Sequence, residues 1–389
     1  MPAVPAVSRA QALRFRAAAQ QLDAAPGATA TADARVLDLG VQDTGHDGAL
    51  WALAVRGVDV PAWPDDLALA WTLRGGPHAY RRAELPAVAR ALVPMSAADA
   101  AKRVFDAAKP LREAGIPLPE AWAEVGRAHA AVVTEPMVKG EVSTRLTRML
   151  GEPYRRWCRP CQAVHLYEQT FRLPALHAGL ELEPGTSPPV LAPVAGWPAE
   201  HLAGFVDAVA TPYPERGVPD HLDPLRAYLR LQGPARPADV AAFLDAPAAD
   251  VKRRWADLDA AGALAEVTVD GERRWVLAED VDRLRAAADD AGGPVVRLVA
   301  PFDPWLQARD RELLVPDPAR RAELWPVLGR PGAVLADGEV VGTWRPRASG
   351  RRLAVETTPW VPWDDAVRAG VDEGVARLAA QRGLAPAGA

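Results

Sequence analysis

Lys252, Arg253 and Arg254 stand in succession where the apolar residues Val251, Trp255 and Leu258 recur at helical spacing. Three cations on one helix suit phosphate contact, though the same helix also suits a solvated face or a protein dock. A second chemical group is Cys158-Arg159-Pro160-Cys161, with His165 four residues further on. Two thiols and an imidazole at that spacing can hold a metal, yet tetrahedral zinc needs a fourth ligand; the chain has only two cysteines, and His177 is the nearby candidate. A redox pair usually opens a helix in a βαβ context, which this stretch does not show. Reduced thiols packed in the structure are therefore the expectation, and no metal is assigned. The third group is a basic stripe. Residues 139–172 hold seven Lys or Arg against three Glu, a local charge of +4. Arg145 and Arg148 lie on adjacent helical turns, and Arg155 and Arg156 follow. Clustering without interleaved acids favours phosphate contact over an exposed helix laced with salt bridges.

The elements that must position these groups can be read from periodicity. Residues 236–279 read as helix, turn, helix and hairpin. Val240, Phe243 and Leu244 share one helical face, Ala246-Pro247 breaks the pattern, and the basic helix follows. Residues 264–269 alternate, Asp270-Gly271 supplies a type I′ turn, and Trp275-Val276-Leu277 returns. This is the outline of a winged helix. The N-terminal part repeats it: Ser8 caps a helix to about Leu22, further helices are expected at 32–39 and 48–56, and strands at 69–73 and 78–80 flank Gly75-Gly76. Residues 97–150 are helical again, broken at Lys109-Pro110, at 117–119 and at Glu135-Pro136. Strands at 180–191 suggest a further winged unit before a Pro-rich linker at 211–219. After residue 286 short strands joined by Asp337-Gly338 and Ser349-Gly350 suggest a small β-barrel or sandwich, closed by a helix at 367–382.

The expected fold class is α+β, with tandem winged-helix (helix-turn-helix) units followed by a small C-terminal β-barrel and a closing helix. The expected divisions are 1–92, 93–210 (carrying the basic stripe), 220–288 and 289–389. A chain of 389 residues, 49% of them hydrophobic, has room for two to four domains with sizeable cores. The net charge of −5 and pI near 5.9 exclude a nonspecific nucleic-acid glue, so a DNA surface must be a local basic stripe on an acidic body. No run approaches a membrane span, and residues 1–10 lack the basic start and apolar core of a signal peptide. A cytoplasmic location with no membrane contact is expected.

The order of these pieces, together with several short motifs, resembles one family over nearly the whole chain. The motifs are Gly40-Val41-Gln42 before an apolar helix, Arg74-Gly75-Gly76-Pro77-His78 in the first hairpin, Phe302-Asp303-Pro304-Trp305-Leu306, Arg309-Asp310-Arg311, and the barrel-like run 337–345. The family is the tandem winged-helix DNA glycosylases related to crosslink-repair YcaQ and azinomycin-resistance AlkZ. The resemblance implies three winged-helix units and a barrel clamped around double-stranded DNA in a bacterial nucleoid. It also implies a monomer with no protein partner, which excises alkylated, N7-substituted purines without metal or cofactor. Unhooking of interstrand crosslinks, base-excision repair and self-resistance to a genotoxin are the associated roles.

The family's catalytic motif is Gln, an apolar residue, then Gln or Asp. Here it reads Gln42-Asp43-Thr44, matching at the first position only. Gln42 can orient a water through its amide while Asp43 or Thr44 accepts its proton; equally, Asp43 and Thr44 can cap the following helix. Arg74 and His78 would project from the first wing toward the duplex, and Arg309 and Arg311 would contact it from the barrel. The alternative is a non-catalytic winged-helix DNA-binding protein or regulator, in which Asp43-Thr44 marks lost chemistry. A winged-helix scaffold for proteins is a third reading, and it predicts no salt-dependent DNA affinity.

Overall fold

Ser8 starts the first helix as expected: its hydroxyl accepts from the Gln11 amide at 3.1 Å, and Arg9–Ala19 buries Leu13 and Phe15. The structure, a computed structural model, describes residues 4–45, 47–287 and 294–387. The helix expected at 32–39 is instead two 3₁₀ turns, Thr31–Asp33 and Arg35–Asp38. So short a segment gains little from helix propagation, and the chain must turn at Gly40. Gly40 sits at φ +81°, and a Cβ there would lie 2.3 Å from the Tyr80 ring. Only glycine satisfies both demands.

Val41–Gln42 then pairs antiparallel with Pro77–Arg81, which puts Gln42 opposite His78. These strands open a six-stranded sheet in the order Val41–Gln42, Pro77–Arg81, Leu67–Trp71, Leu180–Leu182, Val190–Pro193, Met137–Val138. The hairpins expected for the first two units are thus one sheet, joined where Leu69 faces Leu182. Isolated short hairpins are marginal, and pairing their edges supplies the missing hydrogen bonds. The expected break at Lys109-Pro110 falls slightly earlier, between Ala97–Arg103 and Ala108–Glu113, because Pro110 fits the first turn of the second helix, where its missing N–H costs nothing. The stretch 211–219 is not a free linker. Tyr213 and Arg216 are buried, and the Arg216 guanidinium donates to the Val93 and Pro94 carbonyls at 2.9 and 3.1 Å.

Residues 237–277 form the expected helix, turn, helix and hairpin: Pro237–Leu244, Ala248–Ala260, Leu264–Val269 and Glu272–Leu277. Asp270 and Gly271 both have positive φ, as a type I′ turn requires. Ala6–Val7 adds a parallel strand to this hairpin. The expected boundary between 288 and 289 falls outside the described residues.

The C-terminal strands make an open five-stranded sheet rather than a closed barrel, in the order Val296–Val299, Gly332–Ala336, Glu339–Ser349, Arg352–Pro359, Ala385–Pro386. One reason is the helix Asp365–Gln381, which lies against the first strand. Gly370 and Gly374 let it approach so closely that added Cβ atoms would meet Val296 at 2.5 Å and Leu298 at 3.0 Å. One hydrophobic core joins this sheet to the helices of 225–258 and to the segment around Val41, so the Gln42 strand rests on the C-terminal half. No described helix is long and apolar enough to cross a membrane.

Candidate active site and nucleic-acid interface

Two buried ion pairs bracket the segment 303–310. The Arg56 guanidinium grips Asp303 through two bonds of 2.7 and 2.8 Å, and Arg16 grips Asp310 at 2.9 and 3.2 Å, with Arg274 adding a third cation at 3.1 Å. Asp303 also accepts from the Trp305 amide at 2.8 Å and so starts the 3₁₀ turn Pro304–Gln307. The acids of both C-terminal motifs are therefore anchors. What they hold up is Gln307 and Arg309.

Gln307 Nε2 donates to Gln42 Oε1 at 2.9 Å, and Gln42 Nε2 donates to Thr44 Oγ1 at 2.8 Å. A primary amide has two donor hydrogens and two acceptor lone pairs. With one of each used for orientation, Gln42 keeps one donor and one acceptor for a water or a nucleotide. Asp43 is a cap as well as a candidate base: Oδ1 accepts from the Ala49 amide at 3.0 Å at the start of Gly48–Ala54. Burial, the largest influence, raises its pKa; the Ala49 N–H opposes this, and Asp47 adds to it.

The Arg74 to His78 turn does not project as expected. His78 is buried beside Gln42, its Nδ1 lies 2.9 Å from the Gly76 carbonyl oxygen, and burial pushes its pKa down to about 3, with the Arg74 charge contributing. The ring is enclosed and turned to the Gly76 carbonyl rather than to the surface. Arg74, in the left-handed region at φ +55°, donates to the Phe243 carbonyl and lies over the Phe243 ring. Arg172 holds the Gly75 carbonyl at 3.0 Å, and Gln169 packs where a Gly75 Cβ would be. The turn is docked between two helices because its glycines let them close on the backbone.

Arg74, Arg309, Arg311 and Arg330 nevertheless form a cluster. Burial lowers the pKa of each of the first three, to about 10 for Arg74 and Arg311, and arginines within the set add to every one of those shifts. These three stay charged at neutral pH. None of the four has a carboxylate within 4.0 Å among the described residues: Arg311 lies over Trp325, Arg330 lies over Phe302, and Arg309 Nε is buried without a partner. The acid that acts on Arg74 and Arg309, Asp245, pairs with Lys102 at 3.4 Å. Clustered guanidinium groups with open donors near Gln42 and Gln307 have the chemistry to take an anion. Sequence reasoning missed Gln307 and Arg330. Gln307 directly follows the Phe302 to Leu306 motif, which was its available signal; Arg330 had none.

The outlying basic residues divide. Arg254 does not belong to a surface stripe: it is buried, pairs with Asp223 at 2.8 Å and stacks over Tyr213. Its helix turns that face inward, toward the Asp223 cap of Pro224–Gln232. Arg253 pairs with Asp250, and Lys252 is exposed. Arg145 is held by Glu141 on the surface of Lys139–Met149, whereas Arg148 is exposed with no ion-pair partner among the described residues. Arg155 approaches Glu152 at 3.7 Å, and Arg156 is exposed and lies over Tyr167. The cysteines are not packed thiols. Cys161 is exposed and Cys158 half-buried, in the hairpin Arg155–Cys158 and Ala163–Leu166. His177 lies in the interior against Trp122, Phe205 and His201.

A family model described as DNA glycosylase AlkZ-like matches residues 61–381. The Gln42 loop precedes the matched region. No curated protein matches the chain. Among solved structures, Streptomyces sahachiroi DNA glycosylase AlkZ is similar with a TM-score of 0.68 at 20% identity, covering 98% of this chain and 99% of that one. The two share a fold from end to end.

Proposed function

This chain belongs to the AlkZ-like DNA glycosylase family, and from that premise we propose that it is a monofunctional N-glycosylase excising alkylated, N7-substituted purines from duplex DNA. The observation that carries the reading is the Gln42 amide, oriented by Gln307 and Thr44 and set beside arginines without acid partners. The arginines bind backbone phosphates and draw the damaged strand to the amide. N7 alkylation makes the purine cationic. Cleavage of the N-glycosidic bond sends its electron pair to the purine, which leaves neutral, while oxocarbenium character develops on the sugar. Gln42 holds a water against the anomeric carbon. As that water adds, its proton passes to Asp43, whose Oδ1 is fixed by Ala49 N–H and whose Oδ2 is the acceptor. Capping and catalysis are thus compatible in one carboxylate. The divisions 1–92, 93–210 and 220–288 are read as three winged-helix units presenting Arg148, Arg156 and Lys252 to the duplex, and crosslinked purines are substrates of the same chemistry.

The test is a duplex carrying one N7-methylguanine, followed by cleavage of abasic sites. Release of free base with an intact strand supports a monofunctional glycosylase. Tight, sequence-selective binding with the lesion retained would replace this reading with that of a non-catalytic DNA-binding protein.

A further inference from the structure

The hairpin Arg155–Cys158 and Ala163–Leu166 lacks what normally holds two strands together. Four residue pairs join it, and its tip carries no core: Trp157 is 59% and Val164 45% exposed, and Cys161 and Ala163 are at the surface. Two-stranded hairpins this short are marginal alone. Register places Trp157 opposite Val164 on one face. Arg156, Cys158, Ala163 and His165 share the other. At the turn Gln162 takes φ +50° and its side chain donates to the Arg159 carbonyl at 2.6 Å, which folds Cys161 back toward the strands. The sulfurs of Cys158 and Cys161 and a ring nitrogen of His165 consequently lie within 4.8 Å of one another. His165 Nδ1 is 2.6 Å from the Leu166 carbonyl oxygen. Donation of the Nδ1 proton to that oxygen fixes the tautomer and leaves Nε2 with a free lone pair, the arrangement metal-ligating histidines adopt.

We propose that Cys158, Cys161 and His165 bind a structural zinc ion at the tip of this hairpin. Around a tetrahedral zinc, with Zn–S near 2.3 Å and Zn–N near 2.0 Å, ligand atoms stand about 3.5–3.8 Å apart. The observed spread, within 4.8 Å, is already close to that of a ligated site. Two thiolates and an imidazole select zinc over magnesium or calcium. His177, the other candidate from sequence, is enclosed elsewhere, so water takes the fourth position. Binding expels both thiol protons, and the two thiolates then cancel the charge of the dication. The centre is neutral, and the positive field of Arg155, Arg156 and Arg159 is left intact. Zinc clamps the face that carries Arg156 and so holds Trp157 rigidly on the other. It takes no part in glycosidic cleavage.

The experiment uses the full chain, purified under reducing conditions without chelator, with metal read by atomic emission. About one zinc per chain is expected, falling to background in C161S, whose exposed side chain carries no packing, and in H165A. Cobalt(II) in place of zinc should give thiolate-to-metal charge-transfer absorption that C158S abolishes. Chelation should make the hairpin sensitive to protease, and added zinc should restore protection. The proposal is overturned if the reduced chain retains no zinc after dialysis against a trace of it, or if the doubly substituted C158S/C161S chain retains as much. A Cys158–Cys161 disulfide in protein purified without reductant overturns it too, in favour of a redox pair. No arm of this test reads base excision, so it stands or falls apart from the glycosylase reading.

Discussion

The segment 303–311 has arginines on both sides of it, treated in opposite ways. Arg16, Arg56 and Arg274 are buried and each meets a buried aspartate within 3.2 Å. Arg74, Arg309, Arg311 and Arg330 cluster nearby, burial and neighbouring arginines lower the pKa of the first three, and among the described residues none of the four pairs with a carboxylate. A buried charge without a partner is costly, and a pair broken on one side is worse than no pair. The first set is therefore architecture, and the second, half-buried and open to solvent, keeps its charge available for an anion. Arginine content alone says nothing about binding; the position of the nearest acid does.

The largest break in this contrast should come from Asp310→Ala, which strands Arg16 and Arg274. Loss of about 3–5 kcal/mol is expected, read by denaturant unfolding, whereas Arg309→Ala should leave unfolding unchanged or slightly improved while weakening duplex binding. Equal destabilisation by the two would erase the distinction. Next come Gln42→Ala and Gln307→Ala. Gln42→Ala should cut single-turnover excision by about 10²–10³-fold, as removal of a positioned hydrogen-bonding group does, with duplex affinity kept; Gln307→Ala, which acts through Gln42, should cost less and lower the rate without changing affinity. An unaltered rate in the first would remove Gln42 from the chemistry.

Asp43 sharpens the comparison by pH. Burial raises its pKa, so the charged base forms only as pH rises through that raised value. Excision should climb with pH there, and Asp43→Asn should flatten the climb. Stability runs the other way, falling between the ordinary and the raised value, because the unfolded chain ionises first. A pH-independent wild-type rate would leave Asp43 a cap alone. The smallest effect belongs to the basic helix: Lys252→Ala should reduce the salt slope of duplex binding by about 1, while Arg254→Ala should lower stability by stranding the buried Asp223 carboxylate. A reversed pattern would return Arg254 to the DNA face.

What the sequence determined by itself was local. Val240, Phe243, Leu244 and Asp270-Gly271 specify a helix, turn, helix and hairpin because apolar period and turn chemistry act over a few residues. The Gln42 loop and the Phe302 to Arg311 motifs were visible through the family resemblance, and Cys158, Cys161 and His165 through their close spacing. Tertiary structure alone decided how these meet. Gln42 finds Gln307 across 265 positions, Arg16 finds Asp310 across 294, and two expected wings share one sheet. The expected barrel stayed open and Arg254 turned inward, because a charge or a strand edge goes to whichever partner the whole chain brings within reach. Burial and pairing are settled by contacts hundreds of residues apart, and no window of sequence contains both halves of them.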